Sequence, residues 1–76
     1  MTTKEQEKLV RFLKHNIGRT IVFDFGNING TPYKRTRNTK GCIIEQGLDG
    51  DYFIYNHKDK WGTALKAIVN VYVAFK

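Results

Sequence analysis

Ten residues near the middle of the chain, Thr31-Pro-Tyr-Lys-Arg-Thr-Arg-Asn-Thr-Lys40, carry the densest group of chemically active side chains. Lys34, Arg35, Arg37 and Lys40 place four positive charges in seven positions, and no acid stands between Thr31 and Gly41. As an extended strand, the segment puts Tyr33, Arg35 and Arg37 on one side and Lys34, Thr36 and Asn38 on the other. Guanidinium groups two residues apart are then about 7 Å from each other, close to the phosphate repeat of a nucleic-acid chain. Tyr33 can stack and Asn38 can hydrogen-bond. The same charges would equally suit an edge strand that must not pair with its neighbours.

A second locus follows at His57-Lys-Asp-Lys60, a charged turn that leads into Trp61 and Gly62. Lys58 and Lys60 add to the positive field, and Trp61 at the rim of a basic loop is either a stacking anchor or the lid of a small core. Tyr52, Phe53 and Tyr55 occupy both faces of one segment, so a ring not covered by the core would be open to a partner. Phe53 is expected inside.

Catalytic and metal chemistry have weaker signals. His57 and Asp59 lie two apart, and with His15, Asp24 or Glu45 they could assemble a general acid–base pair, but no spacing requires it. Two histidines and one cysteine are a poor donor set for a mononuclear metal site. Cys42 lies in an apolar run with Ile43 and Ile44 and reads as a structural thiol. The glycines belong to turns, and no Gly-x-x-x-x-Gly-Lys-Ser/Thr phosphate loop is present. No cofactor, metal or catalytic residue is expected, with a small metal-independent ribonuclease as the residual enzymatic reading.

Composition sets the frame for these residues. The 76 residues form one domain, residues 1–76, too short for a dinucleotide-binding fold or a TIM barrel. Hydrophobic residues at 41% and aromatics at 13% exclude a disordered chain. Thirteen Lys and Arg against seven Asp and Glu leave +6, which favours anionic partners. The polar N-terminus and the lack of a long apolar run give the expectation of a cytoplasmic protein with no membrane partner.

The elements that must position these residues follow from periodicity. A helix is expected over 3–16, capped by Thr3 with Gln6 or by Thr2 with Glu5, and stopped by Asn16 and Gly18. Leu9, Phe12 and Leu13 form its apolar stripe, and Lys4, Lys8, Arg11 and Lys14 its solvated side. From Arg19 the period becomes two, and strands are expected at about 19–25, 33–37, 42–46, 51–56 and 68–75. Gly26–Gly30 is expected as a turn. A helical turn is expected at 63–67. The strand at 52–56 is apolar at nearly every position and is expected to be central and covered on both faces. Asp24, between Phe23 and Phe25, either faces solvent or pairs with a neighbouring cation.

These elements give an α+β fold: an N-terminal helix followed by a five-stranded, mainly antiparallel bent sheet or small β-barrel. The order is similar in layout to Sm-like RNA-binding proteins, and an SH3-like barrel has the same character. None of the Sm-like motif residues stands at matching spacing, so the likeness is one of topology. It implies RNA as a partner and ring assembly. The expected function is a small basic module binding RNA or single-stranded DNA mainly through its backbone, with Tyr33, Lys34, Arg35, Arg37, Asn38, Lys40, Lys58, Lys60 and Trp61 as contacts. The alternative is an inhibitor or adaptor that binds an acidic protein surface through its helix or an edge strand. A thin core and an apolar final strand add the expectation of a homo-oligomer.

Overall fold

The capping box at Thr2 starts the first element. In the computed structural model, which describes residues 2–75, Thr2 Oγ1 accepts from the Glu5 N–H and Glu5 Oε1 accepts from the Thr2 N–H. The helix α1 runs Thr3–His15 and ends at Asn16, with Gly18 at φ +95° just beyond. Its buried face is Gln6, Val10 and Leu13, and Leu9 and Phe12 flank that face half-buried. The expected stripe is therefore rotated. Gln6 is fully buried because its amide is satisfied at both ends, so a polar residue can occupy the core face.

Six strands follow, not five: β1 (Thr20–Ile28), β2 (Thr31–Asn38), β3 (Ile43–Gln46), β4 (Tyr52–Asn56), β5 (Trp61–Ala64) and β6 (Asn70–Val73). A short 3-10 turn, Leu65–Ala67, joins the last two, where a helical turn from 63 was expected. β5 is missed by periodicity because Trp-Gly-Thr-Ala is short and alternates nothing. The turn expected over Gly26–Gly30 shrinks to Asn29-Gly30, both at positive φ, which is the two-residue connection that suits a twisted hairpin. Gly26 instead forms a bulge: Phe25 and Gly26 together oppose Tyr33, and the Gly26 N–H donates to Asp24 Oδ1 at 2.8 Å. Asp24 is thus half-buried and held by backbone, neither free in solvent nor paired with a cation.

The strands form two antiparallel three-stranded sheets, ordered β2-β1-β6 and β3-β4-β5. Ile21 and Phe23 of the first meet Ile54 of the second, with Val10 and Leu13 of α1 and with Leu65 and Ile68. The architecture is α+β, as expected, but the β-barrel is not formed: β2 and β5 lie at free edges and do not pair. Arg35 and Arg37 lie opposite Phe23 and Ile21, hence on the inward side of their sheet. Closing the seam would draw two guanidinium groups toward the core, at a desolvation cost that Asp59, the only acid nearby, could not offset for both. The expectation that β4 is covered on both faces also fails: Ile54 and Asn56 point inward, while Phe53 is exposed on the outer side.

Candidate functional site

The unpaired seam is a cleft walled by β2 on one side and by β5 with its preceding turn on the other. At one end Phe25, Ile28 and Tyr33 face Thr63 and Ala64 across a groove of about 340 Å³. In the middle Arg35, Arg37 and Asn38 face Lys60, Trp61 and Gly62 across about 540 Å³. At the far end Asn38 and Lys40 face Lys58 and Asp59 across about 370 Å³. The residue numbers rise along one wall and fall along the other, so the walls run antiparallel. Among the described residues, five cations line the cleft against the single acid Asp59.

Local chemistry fixes several of these side chains. Arg35 Nε donates to the Tyr33 hydroxyl, and its guanidinium lies 5.5 Å from that ring's centroid. Tyr33 stands edge-on to Phe25, with centroids 5.4 Å apart, because the bulge brings Phe25 opposite it. Arg37 is half-buried and donates to the Thr36 carbonyl at 3.0 Å. Asn38 Oδ1 accepts from the Lys40 N–H at 2.9 Å, which orders the approach to the next turn. The Trp61 ring tilts against Phe23, with centroids 6.0 Å apart, and the residue also lines the cleft. Lys60 adopts φ +56°, a left-handed conformation that favours glycine or asparagine, yet a lysine stands there.

Eight of the nine expected contacts come together in this way. Lys34 does not. It lies opposite Asp24 on the outward side of its sheet, where its Nζ is 3.4 Å from the Tyr72 hydroxyl and 5.8 Å from that ring's centroid. The expected stacking strand also divides, since Phe53 and Tyr55 stand on the outer face of the second sheet, away from the cleft walls.

Two buried polar residues that sequence reasoning passed over hold the cleft's walls. Thr39 Oγ1 donates within reach of the Asn16 and Arg19 carbonyls, at 3.1 and 2.8 Å, and accepts from the Gly18 N–H at 2.9 Å. It ties the end of β2 to the end of α1. Asn56 Nδ2 donates to the Lys40 carbonyl at 3.0 Å. Both are nearly inaccessible, at 0% and 3% exposure, with every buried polar side-chain atom among the described residues satisfied. A lone Thr or Asn between turn residues carries no periodic signal, so only the fold reveals these ties.

His57 stands edge-on to Tyr55 at 4.7 Å, and no three His, Cys, Asp or Glu residues among the described ones cluster as a metal site would. Cys42 is a half-buried thiol whose pKa is raised by burial, so the reactive thiolate is disfavoured. No helix among the described residues is long and apolar enough to cross a membrane. The chain matches no family model, no curated protein and no solved structure.

Proposed function

We propose that this chain binds single-stranded nucleic acid, with the sugar–phosphate backbone seated in the cleft between β2 and β5. The observation that carries the reading is the meeting of Arg35 and Arg37 with Lys60 and Trp61 across an unpaired seam. These residues are more than twenty positions apart in sequence. A cationic groove beside aromatic rings is the arrangement that tracks a nucleic-acid backbone without demanding a base sequence. Tyr33, Asn38, Lys40 and Lys58 extend it toward both ends.

Contacts of this kind make affinity fall with salt. Four phosphate contacts on a single strand give a slope of log K against log salt of about −2.8, at about −0.7 per contact. The test is a salt titration with a labelled single-stranded oligonucleotide, alongside the 260/280 nm ratio of the purified protein before and after a high-salt wash. Arg35→Ala with Arg37→Ala is expected to flatten the slope by about 1.4 and leave the far-UV spectrum unchanged. A clean protein ratio with no binding of RNA or DNA at low salt would overturn the reading and favour an acidic protein partner engaged through a strand edge.

A further inference from the structure

The outward face of the β3-β4-β5 sheet lies across β5 from the cleft and has no covering layer. Register places Ile43, Tyr55 and Gly62 in one row and Glu45, Phe53 and Ala64 in the next. Two aromatic rings therefore stand beside two positions with almost no side chain. The result is a shallow depression of about 410 Å³. Phe53 is 37% exposed although its strand is the central one of its sheet.

The rings are held in place. The Tyr55 hydroxyl donates to Glu45 Oε1 at 2.6 Å, and His57 braces the same ring edge-on. A Cβ at Gly62 would come within 3.3 Å of the Tyr55 Cβ, so any larger residue there would crowd Tyr55 and force a shift of a few tenths of an ångström. A Cβ at Gly47 would likewise meet the Phe53 ring, at 3.4 Å. Small residues and fixed rings together leave a flat apolar slot that suits a planar ligand.

Continuity with the cleft narrows the choice of ligand. Gly62, Thr63 and Ala64 line both the depression and the end of the cleft beside Tyr33 and Arg35. Only the width of β5 separates the two, and neighbouring strands are about 4.8 Å apart. The cleft is cationic, whereas the depression has Glu45 at its rim. A phosphate is attracted to the first and repelled by the second. An uncharged base meets no such penalty, and the carboxylate can accept from an exocyclic amine.

We propose that Phe53 and Tyr55 form a stacking subsite for an unpaired nucleobase of the strand whose phosphates occupy the cleft. The proposal rests on the nucleic-acid reading above and adds to it a second contact of different chemistry. Stacking contributes little salt dependence, so the two can be separated.

The experiment compares a single-stranded oligodeoxycytidine, whose bases carry an exocyclic amine, with an abasic oligomer of equal phosphate number. Wild-type protein is expected to bind the base-containing strand about 5- to 150-fold more tightly, the range for one stacked base. Phe53→Leu keeps an apolar residue at this exposed position but removes the ring. It is expected to lower that ratio about 5-fold or more without changing the salt slope, and Phe53→Trp to retain the preference. Equal binding of both oligomers by wild type overturns the stacking subsite and leaves the cleft reading standing. A preference unchanged by Phe53→Leu also overturns it. Binding of neither oligomer overturns both.

Discussion

The carboxamide of Asn56 joins the two walls of the cleft: its Nδ2 donates to the Lys40 carbonyl, while its Oδ1 accepts from the Asp59 N–H, each at 3.0 Å. One buried side chain thus sets the spacing between the connection after β2 and the turn before β5. Asn56→Ala removes two hydrogen bonds to part-buried backbone groups, at about 1–3 kcal/mol. A thermal melt is expected to show that loss, with weaker oligonucleotide binding at an unchanged salt slope. A stability within about 0.5 kcal/mol of wild type would show that the tie does not organise the walls.

Lys60 offers a separation of stability from binding. Its left-handed backbone, φ +56°, costs a β-carbon-bearing residue about 1 kcal/mol that glycine does not incur. Lys60→Gly is expected to keep or raise the melting temperature and to reduce the salt slope by about 0.7. Lys60→Ala loses the same charge but retains the strain, so its melting temperature should stay below that of the glycine variant.

The junction of α1 with β4 predicts the acid limb of stability. Gln6 Nε2 donates to Asp51 Oδ1 at 2.9 Å, and Lys66 Nζ lies 3.3 Å from Asp51 Oδ2. The Gln6 hydrogen bond first, and Lys66 after it, hold the Asp51 carboxyl below the ordinary range. A carboxyl with a lowered folded pKa contributes stability above its unfolded value, about 3.9, and loses it as pH falls further. Urea midpoints measured from pH 7 to pH 3 should therefore decline below about pH 4. Asp51→Asn should flatten that part of the decline.

Leu13 is fully buried among Ile21, Phe23 and Ile54, whereas Lys8 and Arg11 are exposed. Leu13→Ala is expected to cost about 2–5 kcal/mol, comparable with the whole stability of so small a domain. Lys8→Ala with Arg11→Ala is expected to change it by less than about 0.5 kcal/mol. A melting temperature for Leu13→Ala within a degree or two of wild type would mean that α1 does not anchor the core.

β6 has a free outer edge, and no charged residue stands between Ala67 and Phe75. Val69 and Phe75 beside it are 62% and 75% exposed. Such a strand carries none of the charges of its own that usually block pairing. Light scattering over a hundred-fold dilution is expected to show a mass above 8.8 kDa at high concentration, which Tyr72→Lys abolishes. A constant mass of 8.8 kDa would show that the edge stays unpaired.

The helix, its caps, the antiparallel strands and the inward side of β1 were legible because each depends on neighbours a few positions away. Thr2 and Glu5 meet within one turn, and Ile21 and Phe23 share a face by the pleat alone. Arg35, Arg37, Lys60 and Trp61 could each be singled out, since a cation or an indole announces its chemistry wherever it stands.

What the tertiary structure alone decided was their company. A one-residue bulge at Phe25–Gly26, a four-residue strand without alternation and the buried amides of Gln6 and Asn56 leave no periodic trace. The same long-range pairing leaves the sheets open, brings Arg35 and Arg37 across from Lys60 and Trp61 and leaves Phe53 on the outer face, whereas the pleat alone turns Lys34 away from Arg35. Sequence determined which side chains could bind an anion or stack. Whether they do so together depends on long-range pairing, which leaves β2 and β5 unpaired and the two arginines at an open seam where they stay hydrated.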